Sequence, residues 1–83
     1  MNEKSAADSR HLFDARGIAH RFRHSAIFGA LDTLERGEVM HFINDHDPLP
    51  LLGQLDRRYG ERLAVEYRQR APGAVVIEFR IVA

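Results

Sequence analysis

From Leu63 to the end of the chain the residues alternate. Leu63, Val65 and Tyr67 fall on one side of RLAVEYRQ, and Val75, Ile77, Phe79 and Ile81 on one side of AVVIEFRIV, while Glu66, Arg68, Glu78 and Arg80 face the other way. Pro72-Gly73 stands between the two runs and supplies a turn, so the last third of the chain predicts a β-hairpin with one apolar face and one Glu/Arg face left in water. A hairpin needs something to cover its apolar side. In a chain of 83 residues that cover must come from the remaining two thirds, which leaves room for one domain with one modest core.

The earlier segments fit that demand. His11–Ala15 is a short strand candidate that stops at Arg16-Gly17. Ile27, Ala30, Leu31 and Leu34 then recur at helical spacing, with Phe28 widening the stripe, and Gly37 is the expected helix end. Glu38–Ile43 is too short for a stable helix and rich in strand formers. Leu51, Leu52, Leu55 and Tyr59 share one face of a second helix that Gly60 terminates, with Arg57 and Arg58 at the favourable end of its dipole. Residues 1–9 have nothing to bury and predict a disordered tail ahead of a single domain over residues 10–83. The expected fold class is α+β, a two-layer α/β sandwich in the order β-α-β-α-β-β, with two helices on one face of a four-stranded mixed sheet. Right-handed crossovers would make the first three strands run parallel. The loops at residues 16–23 and 44–48 would then lie at one end of the sheet, where ligands usually bind in open α/β arrangements.

Composition removes several functions. Twelve basic and twelve acidic residues cancel, which argues against nucleic acid or an anionic membrane as partner. No apolar run approaches the ~20 residues needed to span a bilayer, and no leader-like apolar region opens the chain, so a cytoplasmic location is expected. There is no cysteine, and with it no disulfide, thiolate metal site or cysteine nucleophile.

The densest polar stretch is Asn44-Asp45-His46-Asp47-Pro48. As structure it predicts a helix start: Asn44 suits the turn, Asp47 can cap free backbone N–H groups, and Pro48 is tolerated at the first helical position. As chemistry it offers His46 with Asp45 or Asp47 as metal ligands. His20 and His24, four residues apart, share a helix face if the helix has begun by His20 and can then add two imidazoles, a set that suits zinc, iron, copper or nickel. Anion binding by Arg16, Arg21 and Arg23 at the same helix start is a further use of this end. His11 and His41 read as packing or edge residues. Ser25 beside His24 has no strained nucleophile turn, and a hydrolase is not expected.

These residues carry a resemblance. Phe13–Ile18 (FDARGI), His24 with Ile27-Phe28, Leu34–Glu38 (LERGE) and above all Asn44–Leu55 (NDHDPLPLLGQL) resemble the bacterial domain of unknown function 2249, over about residues 11–82. That family is related to the TusA/SirA sulfur carriers, and the likeness implies the same β-α-β-α-β-β sandwich. In the carriers an Arg-Gly, two residues and then Cys-Pro place a persulfide cysteine at the start of the first helix. Here Arg16-Gly17-Ile18-Ala19 is followed by His20-Arg21, so persulfide transfer by this chain is excluded. Similar modules stand beside haemerythrin-like and denitrification-related proteins, which implies a role near metal, haem or nitrogen oxides.

Three classes of function follow. The first is a non-catalytic binding module holding a transition metal or haem through His24 and His46, with Asp45, Asp47 and His20. The second is a protein-interaction or regulatory module of sulfur-carrier shape, with a protein partner that could be a second copy. An enzyme is third. Metal binding predicts histidines and a carboxylate around a common centre, capping predicts Asp47 on its own helix, and interaction predicts an exposed apolar patch or an open strand edge, the hairpin's last strand being the candidate.

Overall fold

The computed structural model describes residues 9–83. The expected tail therefore lies, Ser9 apart, outside the described residues. Strand β1 (Arg10–Asp14) passes through a 3-10 turn into helix α1 (His20–Thr33); β2 (Val39–Asn44), α2 (Leu49–Tyr59), β3 (Leu63–Ala71) and β4 (Ala74–Ile81) follow. The fold class is the expected one, two helices and a four-stranded mixed sheet.

The sheet order is β1-β2-β4-β3. β1 and β2 pair in parallel, and β4 runs antiparallel to both of its neighbours. Strands β1, β2 and β3 thus share one direction, as right-handed crossovers require, although β4 separates β3 from the other two. The hairpin turns at Pro72-Gly73, where Gly73 has φ 80°. A bulge at Arg68 shifts the register between Tyr67 and Gln69.

Period-two patterning determined which residues entered the core. Phe42 of β2 and Phe79 of β4 meet with ring centroids 5.3 Å apart. Met40, Val75, Ile77 and Ile81 join them from the sheet, and Ile27, Leu31, Leu51, Leu55 and Tyr59 from the helices. Among the described residues no buried side-chain polar atom lacks a partner. No helix among them is long and apolar enough to cross a membrane.

Three expectations need correction. Helix α1 ends at Thr33 rather than at Gly37. Leu34 is already extended, and Glu38 closes a turn by accepting from Glu35 N at 2.7 Å while Gly37 takes φ 93°, so the glycine serves the turn and not the helix end. The hairpin's last strand is not an open edge: β4 lies inside the sheet, and β1 and β3 are its edges. Glu78, expected in water, is 5% exposed. It sits on the helix-free face within reach of Arg10 (3.5 Å), His41 (2.9 Å) and Arg68 (3.3 Å). The hydrogen bond from His41, helped by the two arginines, holds its carboxyl below the usual range.

Candidate functional site

The two loops that leave β1 and β2 do meet at one end of the sheet, and Arg23 joins them. Its guanidinium, almost fully buried on α1, donates from Nε to Ile18 O (2.7 Å), from Nη1 to Asn44 Oδ1 (3.1 Å) and Asp45 Oδ1 (3.1 Å), and from Nη2 to Arg16 O (3.4 Å). The planar fork of an arginine can satisfy acceptors on several sides at once, which a lysine cannot. Asn44, itself buried, uses its amide to donate to His46 O at 2.9 Å. The loop is therefore shaped by buried polar pairing before any ligand is considered.

Asp45 sits at the junction. Its Oδ1 accepts from Arg23 and, at 2.6 Å, from His46 Nδ1. Those two bonds, Arg23 first, hold its carboxyl at about 2. It is thus ionised and only accepts, so the proton of a neutral His46 lies on Nδ1 and the lone pair on Nε2. His24 Nδ1 lies 3.1 Å from the side-chain Oε1 of Gln54. The ring of His20, the first residue of α1, stacks on that of His46 at 5.8 Å between centroids.

His20, His24 and His46 all line one cleft, together with Arg23, Asn44, Phe42, Ile27, Pro48 and, from the start of α2, Pro50 and Leu51. Its volume is about 90 Å³, room for about three waters at ~30 Å³ each. A single ion with its waters fits inside. Among the described residues no three His, Asp or Glu side chains are close enough to hold a metal as they stand.

The two carboxylates expected as ligands are otherwise engaged, Asp45 by Arg23 and His46, and Asp47 by Tyr67. The cap expected of Asp47 is not made: α2 begins after Pro48, which occupies the N-cap position, and no side chain caps it. Asp47 Oδ1 instead accepts from the hydroxyl of Tyr67 on β3. Burial, and then this bond, raise the Tyr67 phenol above its ordinary value. The hairpin tip holds the same loop from the other side, with Gly73 N donating to Asp45 O at 3.2 Å and Arg16 Nη1 donating to Gly73 O at 3.3 Å.

The three arginines weighed for anion binding do not converge. Arg16 is paired with Asp14 at 2.8 Å, Arg23 is spent on the loops, and Arg21 lies over the Phe22 ring. The loop-bracing role of Arg23 and the roles of Tyr67 and Gln54 were not assigned by sequence reasoning. Arg23 had a signal, since it continues the buried Ile27, Leu31 spacing four residues toward the helix start. Tyr67 had none, because its partner is 20 residues away.

A family model described as an uncharacterized conserved protein (DUF2249) matches residues 12–81, and the chain belongs to that family. No curated protein and no solved structure matches the chain.

Proposed function

We propose that this member of the DUF2249 family is a non-catalytic binding module that takes one late first-row transition-metal ion in the cleft between its helix starts, on imidazole nitrogens of His20, His24 and His46. The observation that carries the reading is that these three line one small cleft, two of them with Nδ1 on an oxygen acceptor. An acceptor on Nδ1 is the usual support behind a ligating histidine: it sets the tautomer, orients the ring and leaves Nε2 as the donor. Asp45 and Gln54 act in that supporting role, and Asp45 is not a ligand. Because no three of these side chains are close enough to hold an ion as they stand, binding requires side-chain adjustment, with His24 and His46 keeping their Nδ1 partners.

The likeness to sulfur carriers supports the same place. There the cargo sits on the residue that opens the first helix, and here that position is His20. Imidazole in place of thiolate exchanges sulfur chemistry for coordination chemistry.

The test is titration of metal-free protein with zinc, cobalt, nickel and copper, repeated on His20→Ala, His24→Ala and His46→Ala. The expected result is one ion per chain, lost in each variant, with Asp45→Asn about 10- to 100-fold weaker. No stoichiometric binding, or binding indifferent to all three substitutions, contradicts the reading. A second reading, a protein-interaction module, is favoured by one separate observation: Leu12 is 69% exposed on an open edge strand.

A further inference from the structure

We infer that β1 is an interface for a second copy of this chain, the two β1 strands pairing antiparallel about Leu12 to make one continuous eight-stranded sheet. The proposal is independent of the histidine cleft. Val39 N donates to Ser9 O at 2.8 Å, and bonds to one neighbour of a strand come from alternate residues. Residues 11 and 13 therefore turn their backbone groups to β2, and Arg10, Leu12 and Asp14 turn theirs outward. No described strand pairs with that outer side.

The strand RHLFD is complementary to itself in one register. A two-fold axis at Leu12 sets Leu12 against Leu12 of the second copy and Arg10 against its Asp14 on both sides. All three pairings join outward-facing backbone groups, so each exchanges two N–H to C=O bonds. Directly opposed residues in an antiparallel pair share a face, so the two exposed leucines cover one another, and each Arg10, 3.5 Å from its own Glu78, meets an Asp14 that would be shared with the Arg16 already holding it at 2.8 Å. A shift by one residue would oppose outward groups to inward ones, and a shift by two would lose both charge pairs.

The helix layer accommodates this. A crossover helix sits over the two strands it joins, so strand spacing of ~4.8 Å brings the two α1 helices to about 10 Å, within normal packing distance. Phe22, Ala26, Ala30 and Thr33 share one α1 flank by helical spacing, and Ala30 and Thr33 line the cleft beside β1, with His11 and Phe13. That flank is small-sided apart from Phe22, which is 57% exposed. The other sheet edge is unsuited to the same use: β3 carries the bulge at Arg68 and presents Glu66, Arg68 and Arg70, the usual devices against edge pairing.

The test uses the full chain in sedimentation equilibrium, with circular dichroism melts to confirm that each variant folds. Wild type is expected to self-associate as a dimer. Arg10→Asp and Asp14→Arg should each weaken self-association about tenfold or more by opposing like charges. Mixed one to one, they should form a heterodimer in which both charge pairs are restored. Leu12→Pro removes an outward N–H without touching the β1–β2 ladder and should be monomeric. A wild type that stays monomeric at millimolar concentration, including by shielding the edge with its own first residues, overturns the proposal. So does a dimer that persists in folded Leu12→Pro, or folded charge variants that fail to pair when mixed.

Discussion

Arg23 is the residue on which the loop geometry depends. Its removal leaves Asn44 Oδ1 and the carbonyls of Ile18 and Arg16 without a donor in a place water reaches poorly, and Asp45 without its main counter-charge. Arg23→Ala should therefore cost about 3 kcal/mol in urea unfolding, and Arg23→Lys should recover little of it, because one ammonium cannot span four acceptors. A loss below about 1 kcal/mol would show that the buried fork is dispensable. Its role was readable from position, since residues 23, 27 and 31 fall four apart on the buried face, but its charge suggested solvent. Periodicity reports which face a side chain lies on, and burial of a charge depends on partners brought from elsewhere, here Asn44 and Asp45.

At the scale of elements, α2 starts without a side-chain cap because the aspartate placed to cap it is held by β3. Asp47 and Tyr67 should behave as one unit. In a double-mutant cycle of Asp47→Ala and Tyr67→Phe, the coupling should be about 1 to 2 kcal/mol, since the bond joins an ionised acceptor to a half-buried hydroxyl. Additive effects would return Asp47 to the helix start. In the other direction, Pro48→Ser puts a good capping side chain at the N-cap position and should stabilise by about 0.5 kcal/mol or more in thermal unfolding. A loss of stability would show that the proline's fixed φ outweighs a cap. The hairpin and the shared direction of the first three strands were legible in the chain, because alternation and crossover handedness are local rules. The end of α1 and the cap were not, because Glu38 and Tyr67 act on them from outside the helices.

For the whole molecule, four depressed carboxylates, Asp14, Asp32, Asp45 and Glu78, set the acid response together. Asp45 is held at about 2 and Glu78 below its ordinary range. A carboxylate whose folded value is depressed contributes stability that is present above its unfolded value, about 4, and lost as pH falls through the folded one. Stability should therefore be level from pH 7 to about 5 and fall progressively from about pH 4 toward 2. Asp45→Asn should flatten that fall, as followed by urea midpoints across the range. A decline already complete at pH 5 would show that these carboxylates do not govern the acid response.

The central proposal is that three of the five histidines, His20, His24 and His46, share one ion, His24 and His46 through Nε2. Long-range proton–nitrogen correlation spectra of the imidazoles, recorded before and after one equivalent of zinc, address it directly. Before zinc, His24 and His46 should appear as the Nδ1–H tautomer. After zinc, the Nε2 signals of His24 and His46 and a ring-nitrogen signal of His20 should shift together while those of His11 and His41, bound to Glu38 and Glu78, stay in place. Unmoved His20, His24 and His46 signals, or shifts confined to His11 and His41, would contradict the account.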